Sequence, residues 1–174
     1  MHVAIGLGLA SALASVRRDL PGSVMFVFQP AEERAIGARA MLDAGVFSKD
    51  VPVAVFGLHS APLAVGLIMS KPGQMMYPGG IAPGVTNDAP LFASSKADVI
   101  KVLGAAAFQD LDQPPAGFSE DFGAFQARVP GVFFFLGIGT AGFPHRPDFV
   151  ADEAAIPFGI RAMAAAVVGR LRLQ

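Results

Sequence analysis

Three short and almost uninterrupted apolar runs limit what this chain can fold into. They cover residues 23–29 (SVMFVFQ), 53–58 (VAVFGL) and 131–139 (GVFFFLGIG). Short apolar runs without polar alternation are typical of strands that are buried on both faces, as in parallel sheets covered by helices. Residues 65–70 predict a shorter strand. The sequence therefore predicts a sheet with a core on each side.

Helical patterns lie between these runs. The N-terminal apolar stretch predicts a helix that has Arg17 and Arg18 in its last turn and is stopped by Pro21 and Gly22, and a second helical pattern is followed by Gly45. Strands that alternate with helices predict an α/β fold, here a three-layer α/β/α sandwich with a mostly parallel central sheet. The remaining predicted helices cover residues 34–44, about 90–107, 120–128 and 152–173, and residues 70–91 are predicted to be a connection without regular structure.

The composition narrows the class of protein. With 174 residues and 53% hydrophobic content, one globular domain with a substantial core is expected. The net charge of -1 gives no electrostatic footprint for nucleic acid or an anionic membrane. No uncharged apolar run approaches the roughly 20 residues of a membrane span, so we expect a soluble, cytoplasmic protein. Without cysteine, any metal must be held by His, Asp or Glu.

The N-terminal 22 residues admit two interpretations. Their apolar centre and the Ala-Leu-Ala triplet at 12–14 are also found in signal peptides with a cleavage site. Against this, Arg17 and Arg18 follow the apolar run, where basic residues favour the last turn of a helix, and no Lys or Arg precedes it. A packed helix is favoured, and a secreted domain with a cleaved leader is the alternative.

The sequence GIGTAG, at residues 137–142, matches the glycine pattern of dinucleotide-binding proteins. That kind of site needs a helix that begins at the glycines and directs its N-terminus towards the phosphates. Here Pro144 and Pro147 follow at once. A nucleotide site is therefore not expected.

Groups that can bind a divalent cation follow three of the predicted strands: Glu32 with Glu33, His59, and His145. The carboxyl ends of strands are where ligands bind in open α/β sheets. Taken singly, each has an ordinary explanation, because glutamates suit a first helical turn and a histidine after a strand is usually a hydrogen-bonded surface residue. On pattern alone, a metal site and a coincidence both stay open.

The two adjacent glutamates also suggest a mechanism. Consecutive residues of an extended segment point in opposite directions, so one carboxylate can hold a metal while its neighbour faces the substrate. A glutamate that does not bind the metal can take a proton from the attacking water and pass it to a leaving amine. This is the layout of a hydrolase for amides.

Three stretches resemble one family in order and spacing: GSVMFVFQPAEERAIGARAMLDAGVF, VFGLHSAPLAVGLIMSKPG, and SEDFGAFQARVPGVFFFLGIGTAGFPHRPDFVADEAAIPFG. They are similar to the metal-dependent amidohydrolases and metallopeptidases that include hippurate hydrolase, N-acyl-amino-acid amidohydrolases (aminoacylases) and plant hydrolases of indole-acetyl amino acids. The resemblance implies a zinc-exopeptidase-like sandwich. It also implies hydrolysis of N-acyl amino acids or small peptide-like amides.

The same resemblance implies roles for single residues. Glu32 is similar to the general acid/base, and Glu33, His59 and His145 are similar to ligands of a two-metal centre. The metal is expected to be Zn, Mn or Co, with one ion or none in this chain. The Glu-Asp-Phe segment at 120–122 matches a family segment whose role is expected to be mostly structural.

Two departures from the family pattern are expected to matter. The pattern His-x-Cys/Asp-Gly-His-Asp, which supplies the other ligands, would fall just before Met1, and His2 resembles the next histidine, which is not normally a ligand. The family's lid or dimerisation domain is replaced by a Pro/Gly-rich bridge near 71–89. Residues 1–174 are thus expected to form a single, truncated and monomeric catalytic-type domain. The alternative is an inactive remnant that acts as a structural or binding partner.

Overall fold

The computed structural model describes residues 1–114, 120–139 and 149–173. The described part of the chain contains both helices and strands, and three additional single turns of 3₁₀ helix lie at Glu32–Arg34, Ala105–Ala107 and Glu153–Ala155. In chain order the elements are α1 (His2–Ser15), α2 (Gly37–Asp43), β1 (Val55–Ala61), β2 (Ile68–Ser70), β3 (Gly73–Met76), β4 (Val85–Asn87), α3 (Ala89–Leu103), β5 (Phe108–Asp110), α4 (Gly123–Gln126), β6 (Gly131–Gly137) and α5 (Ile156–Leu171).

The central sheet is mixed and mostly parallel, with the strand order β1-β6-β2-β5. β1 and β6 run parallel from Val55 and Gly131 to Ala61 and Gly137. β2 and β5 are also parallel, whereas β2 and β6 are antiparallel. β3 and β4 form a separate antiparallel hairpin. The predicted α/β class with a largely parallel sheet is confirmed.

β6 lies at the centre of the fold, and every one of its residues is buried. Val132, Phe134 and Leu136 belong to a core cluster with residues of α1, α3 and α5. Phe133 and Phe135 belong to a second cluster, which includes residues of α2, β3 and β4 and the aromatic rings around α4. Because side chains alternate across a strand, the two clusters lie on opposite faces of the sheet. This confirms the layered sandwich and explains the uninterrupted apolar run.

The predicted strand at residues 23–29 is wrong, since this segment has no regular secondary structure. Together with β1, it lines a cavity of about 1250 Å³. Strands pair only when their backbones lie about 4.7–4.9 Å apart. Residues 23–29 do not pair with β1 in this way, so β1 is an edge strand of the described sheet.

Three further details differ from the predictions. β1 begins and ends later than predicted, so His59 lies within it rather than after it. The predicted helix over 120–128 is a single turn, α4. The connection predicted over 70–91 contains the β3–β4 hairpin. Asn87 holds this hairpin to the sheet, because its side chain accepts a hydrogen bond from the Phe133 N–H (2.8 Å) and donates to Ser70 Oγ (3.0 Å).

The first and last helices are confirmed as packed elements. α1 buries Ile5, Leu9 and Leu13 on one face, and Pro157 lies in the first turn of α5, as predicted. By length and composition alone, Glu153–Leu171 is apolar enough to cross a membrane. α5 packs against α1 and α3, however, and the same composition occurs in the core helices of soluble proteins.

Candidate active site

The cavity beside β1 collects three of the four predicted site residues. Glu32, Glu33 and His59 all line it. Glu32 and His59 are half-buried, and Glu33 is exposed. His145 lies outside the described residues. One part of the fold thus brings both glutamates and one histidine to a shared space.

The glutamates lie in a turn with an unusual backbone. Ala31 and Ala35, which flank the 3₁₀ turn, have φ values of 55° and 50°. This left-handed conformation costs about 1–2 kcal/mol for a residue with a Cβ atom. The end of the turn is also tightly closed, because a Cβ atom on Gly37 would lie 1.7 Å from the Pro30 carbonyl oxygen. Such strain is often retained at functional sites, where the surrounding structure holds it.

Asp121 binds both ends of this turn. Its Oδ1 accepts a hydrogen bond from the Gln29 side-chain amide (2.6 Å), and its Oδ2 accepts one from the Ala38 N–H (2.9 Å). The side chain is 1% exposed. Hydrogen bonds to a charged group each contribute about 1.5–3 kcal/mol, which is enough to offset the strain of the turn. The sequence identified the segment but gave no signal that Asp121 reaches the glutamates.

Glu120 adds a second buried carboxyl to the site. It is 6% exposed and accepts a hydrogen bond from the Phe122 N–H (3.1 Å). The carboxylate oxygens of Glu32, Glu120 and Asp121 lie within 4.8 Å of one another, a spacing that suits metal ligands. Burial, and next the negative charge of Glu32, raise the pKa of Glu120 to about 8, although the Phe122 N–H opposes the shift. Glu120 therefore keeps its proton over most of the neutral range.

The orientation of His59 is fixed by its neighbours. Its Nδ1 lies 2.6 Å from the Ser60 carbonyl oxygen, and because a carbonyl only accepts, Nδ1 carries the proton. In the neutral ring, Nε2 then has the lone pair that a metal needs. The ring packs against Phe133 and Phe135, at centroid distances of 6.4 and 6.0 Å.

His2 supports the neighbouring backbone. Its Nε2 accepts a hydrogen bond from the Ser60 N–H (2.9 Å), and its ring centroid lies 5.1 Å from that of His59. Burial, followed by the nearby His59 and the N-terminal amine, lowers the pKa of His2 to about 4. His2 is therefore neutral near pH 7, with Nε2 engaged by the backbone.

The donor set fits a divalent cation. Glu33 and His59 offer an oxygen and a nitrogen ligand in the same cavity, and such ligands suit Zn, Mn and Co. Among the described residues, the group that meets ligand spacing is Glu32, Glu120 and Asp121 rather than a set that contains Glu33 or His59. Both Asp121 oxygens already accept protein hydrogen bonds, so Asp121 is better placed as a support than as a ligand.

The fold and this donor set together fit a metal-dependent hydrolase. The model of peptidase family M20/M25/M40 matches residues 1–168. The chain therefore belongs to this peptidase family, and the predicted resemblance is confirmed.

Relatives of known activity support the same class. The chain is 47% identical over 76 residues to an N-acetylcysteine deacetylase of Bacillus subtilis (strain 168), which covers 43% of this chain and 20% of the relative. It is 32% identical over 153 residues to an N-acetyldiaminopimelate deacetylase of Priestia megaterium, covering 76% of this chain and 40% of the relative. An IAA-amino acid hydrolase of Arabidopsis thaliana is 40% identical over 80 residues, or 45% of this chain and 18% of the relative. The chain thus spans less than half the length of these relatives.

Two solved structures show the same fold. A dinuclear metal-binding peptidase of the M20 family from Bacillus subtilis superimposes with a TM-score of 0.84 at 22% identity, over 98% of this chain and 71% of that one. An aminohydrolase of methicillin-resistant Staphylococcus aureus, described as putative, gives a TM-score of 0.79 at 18% identity, over 98% and 72%. The predicted fold is confirmed by these likenesses.

Proposed function

We propose that this chain forms part of a metal-dependent amidohydrolase site for N-acyl amino acids or small peptide-like amides. The observation that carries the proposal is that Glu32, Glu33 and His59 line one cavity in a chain of the M20 family. The names of the relatives, which are deacetylases of acetylated amino acids and a hydrolase of an amino acid conjugate, support this substrate class.

Each residue has a proposed role. Glu33 and His59, together with His145, would hold a divalent cation such as Zn, Mn or Co. When bound, the cation would polarise the amide carbonyl and make water more acidic. Glu32, half-buried beside Glu120, takes a proton from the attacking water and returns it to the leaving amine.

The wider organisation follows the same proposal. We take residues 1–174 as one catalytic-type domain in which the bridge near 71–89, with its β3–β4 hairpin, stands where the family carries a lid. A monomer in the cytoplasm is proposed. Size-exclusion chromatography with light scattering would give the mass directly, and a stable dimer would contradict this part.

The metal step is tested by titrating metal-free protein with Zn²⁺, Mn²⁺ and Co²⁺ in a calorimeter. Wild type is expected to bind at least one of them, and Glu33→Gln and His59→Ala to bind it more weakly. Glu153→Gln is the matched control, because Glu153 is exposed and does not line the cavity. Absence of binding by the wild type would contradict the proposal.

The chemical step is tested with N-acyl amino acids such as hippurate and N-acetylated amino acids. Glu32→Gln is expected to abolish hydrolysis while metal binding is retained, since the amide cannot accept the proton but keeps the shape of the side chain. Hydrolysis that continues unchanged in Glu32→Gln would show that another group, or a contaminant, carries the activity.

A further inference from the structure

The turn that carries Glu32 and Glu33 is tied at both ends to one buried side chain. We propose that Asp121 is a positioning residue that holds this turn in the geometry that presents the two glutamates to the cavity. The inference rests on the proposed function, because it assigns a role to Asp121 in that same site. It goes beyond a general structural role, since it predicts effects at the turn that differ from those on the whole fold.

The turn that carries Glu32 and Glu33 is short, and the two residues that flank it are strained. It is a single 3₁₀ turn, and its backbone bonds run from the Ala35 N–H to the Glu32 carbonyl (2.6 Å) and from the Arg34 N–H to the Ala31 carbonyl (3.3 Å). Ala31 and Ala35 both have the left-handed conformation that alanine rarely adopts. Glu33 and Arg34 are exposed to solvent. A short turn with two strained residues is stabilised by hydrogen bonds from outside it.

Asp121 is built to give that support. Its carboxylate accepts a hydrogen bond from the side-chain amide of Gln29, which lies before the turn, and another from the backbone N–H of Ala38, which lies after it. A carboxylate that accepts two N–H groups forms short, charge-assisted bonds with a fixed direction. Asp121 itself is anchored, because Phe122 and Phe125 beside it are buried in the same core cluster as Ala38. The Asp121 carboxylate thus links the turn to the packed core by hydrogen bonds.

A second consequence follows for the cavity. Asp121 oxygens lie within 4.8 Å of carboxylate oxygens of both Glu32 and Glu120. Loss of the Asp121 side chain would allow Gln29 and Ala38 to move apart. The side chains of Glu32 and Glu33 would then no longer be held in one orientation towards the cavity. Residues that orient metal ligands in this way typically change metal affinity 10–100-fold when they are removed.

The experiment compares Asp121→Ala with a control of equal burial elsewhere. Asn87 is the control, because it is 2% exposed and also makes several buried hydrogen bonds, but it joins the hairpin to β6 and not to the turn. The first readout uses metal-free protein: trypsin cleavage after the exposed Arg34, followed by mass spectrometry under conditions in which both variants are folded. The second readout is the dissociation constant and visible absorption spectrum of the Co²⁺ form.

We expect cleavage after Arg34 to be about tenfold faster in Asp121→Ala than in Asn87→Ala, and the Co²⁺ dissociation constant to rise about 10–100-fold with an altered spectrum. Asp121→Asn keeps one acceptor oxygen and should fall between wild type and Asp121→Ala. If Asp121→Ala does not fold, Gln29→Ala is used instead. It removes one of the two hydrogen bonds that Asp121 accepts at the turn and should give a smaller effect in the same direction.

Equal cleavage after Arg34 in the Asp121 and Asn87 variants would overturn the inference, as would unchanged Co²⁺ binding in a folded Asp121→Ala protein. The proposed function fails in a different way, through a wild type that binds no metal. In that case, the cleavage readout still decides whether Asp121 holds the turn.

Discussion

β6 and residues 23–29 have similar apolar sequences but end in different environments. β6 pairs with β1 on one side and β2 on the other, and all of its residues are buried. The other segment pairs with no strand in the part of the chain that the structure describes, and its Met25 and Phe28 are 43% and 47% exposed. An apolar run therefore shows what a segment can become, whereas its neighbours decide whether it becomes a strand.

The largest difference between the two regions is expected from removing one aromatic ring in each. Phe134→Ala leaves a cavity in the centre of the sheet, because Phe134 is 0% exposed, and should lower the free energy of unfolding by about 3–5 kcal/mol. Phe28→Ala removes a half-exposed ring that contacts the region of Gly6 and should lower it by about 1 kcal/mol or less. Urea denaturation measures both. Equal losses would mean that residues 23–29 are packed as tightly as β6.

A medium effect is expected from Glu120, which lines the same cavity as residues 23–29. Its pKa is raised to about 8 in the folded protein, so between its ordinary value near 4.5 and pH 8 the unfolded chain ionises first and the fold loses stability as the pH rises. Glu120→Gln removes this loss. Relative to wild type, the variant should gain roughly 2–4 kcal/mol between pH 5 and pH 8.

The Glu120 prediction is checked by urea denaturation at a series of pH values. Glu153→Gln serves as the control, because an exposed carboxyl should leave the pH profile nearly unchanged. Parallel profiles for wild type and Glu120→Gln would show that Glu120 ionises normally in the folded protein.

The smallest effect is expected at Ala31, at the start of the turn that follows residues 23–30. Ala31→Gly should stabilise the protein by about 0.5–1 kcal/mol, since glycine adopts a φ of 55° without strain and alanine does not. Ala97→Gly, at an exposed position of α3, should instead destabilise it by about 1 kcal/mol. Thermal unfolding of the pair gives the difference. If both substitutions destabilise equally, Ala31 is not strained in solution.

The sequence predicted those parts of the fold that local patterns determine. The strand predicted at 131–139 and the N-terminal helix predicted before Pro21 and Gly22 depend on neighbouring residues, and both were confirmed. Residues 23–29 were predicted wrongly because pairing depends on distant backbone. The β3–β4 hairpin was missed because Asn87, 46 residues before Phe133, holds it in place.

The candidate site shows the same division. Residue type, position after apolar runs and the family resemblance together led to Glu32, Glu33, His59 and His145. The first three line one cavity, and His145 lies outside the described residues. The pattern contained nothing to show that Asp121 binds both ends of the turn, or that burial makes Glu120 a weaker acid. Burial and hydrogen bonds between residues that are distant in the sequence arise only in the packed molecule. A local sequence pattern therefore cannot predict them.

The two hydrogen bonds that Asp121 accepts from Gln29 and Ala38 also have a consequence for the order in which the site is assembled. The Asp121 hydrogen bonds join residues 83 and 92 positions apart, and contacts of such high sequence separation form late because they must overcome the entropy of closing a long loop. During synthesis, Glu32 and Glu33 leave the ribosome long before Asp121 is added. With the proposed role of Asp121, we expect the two glutamates to reach their final geometry only after the aromatic core around Phe122 has formed, so that an intact site requires an intact core.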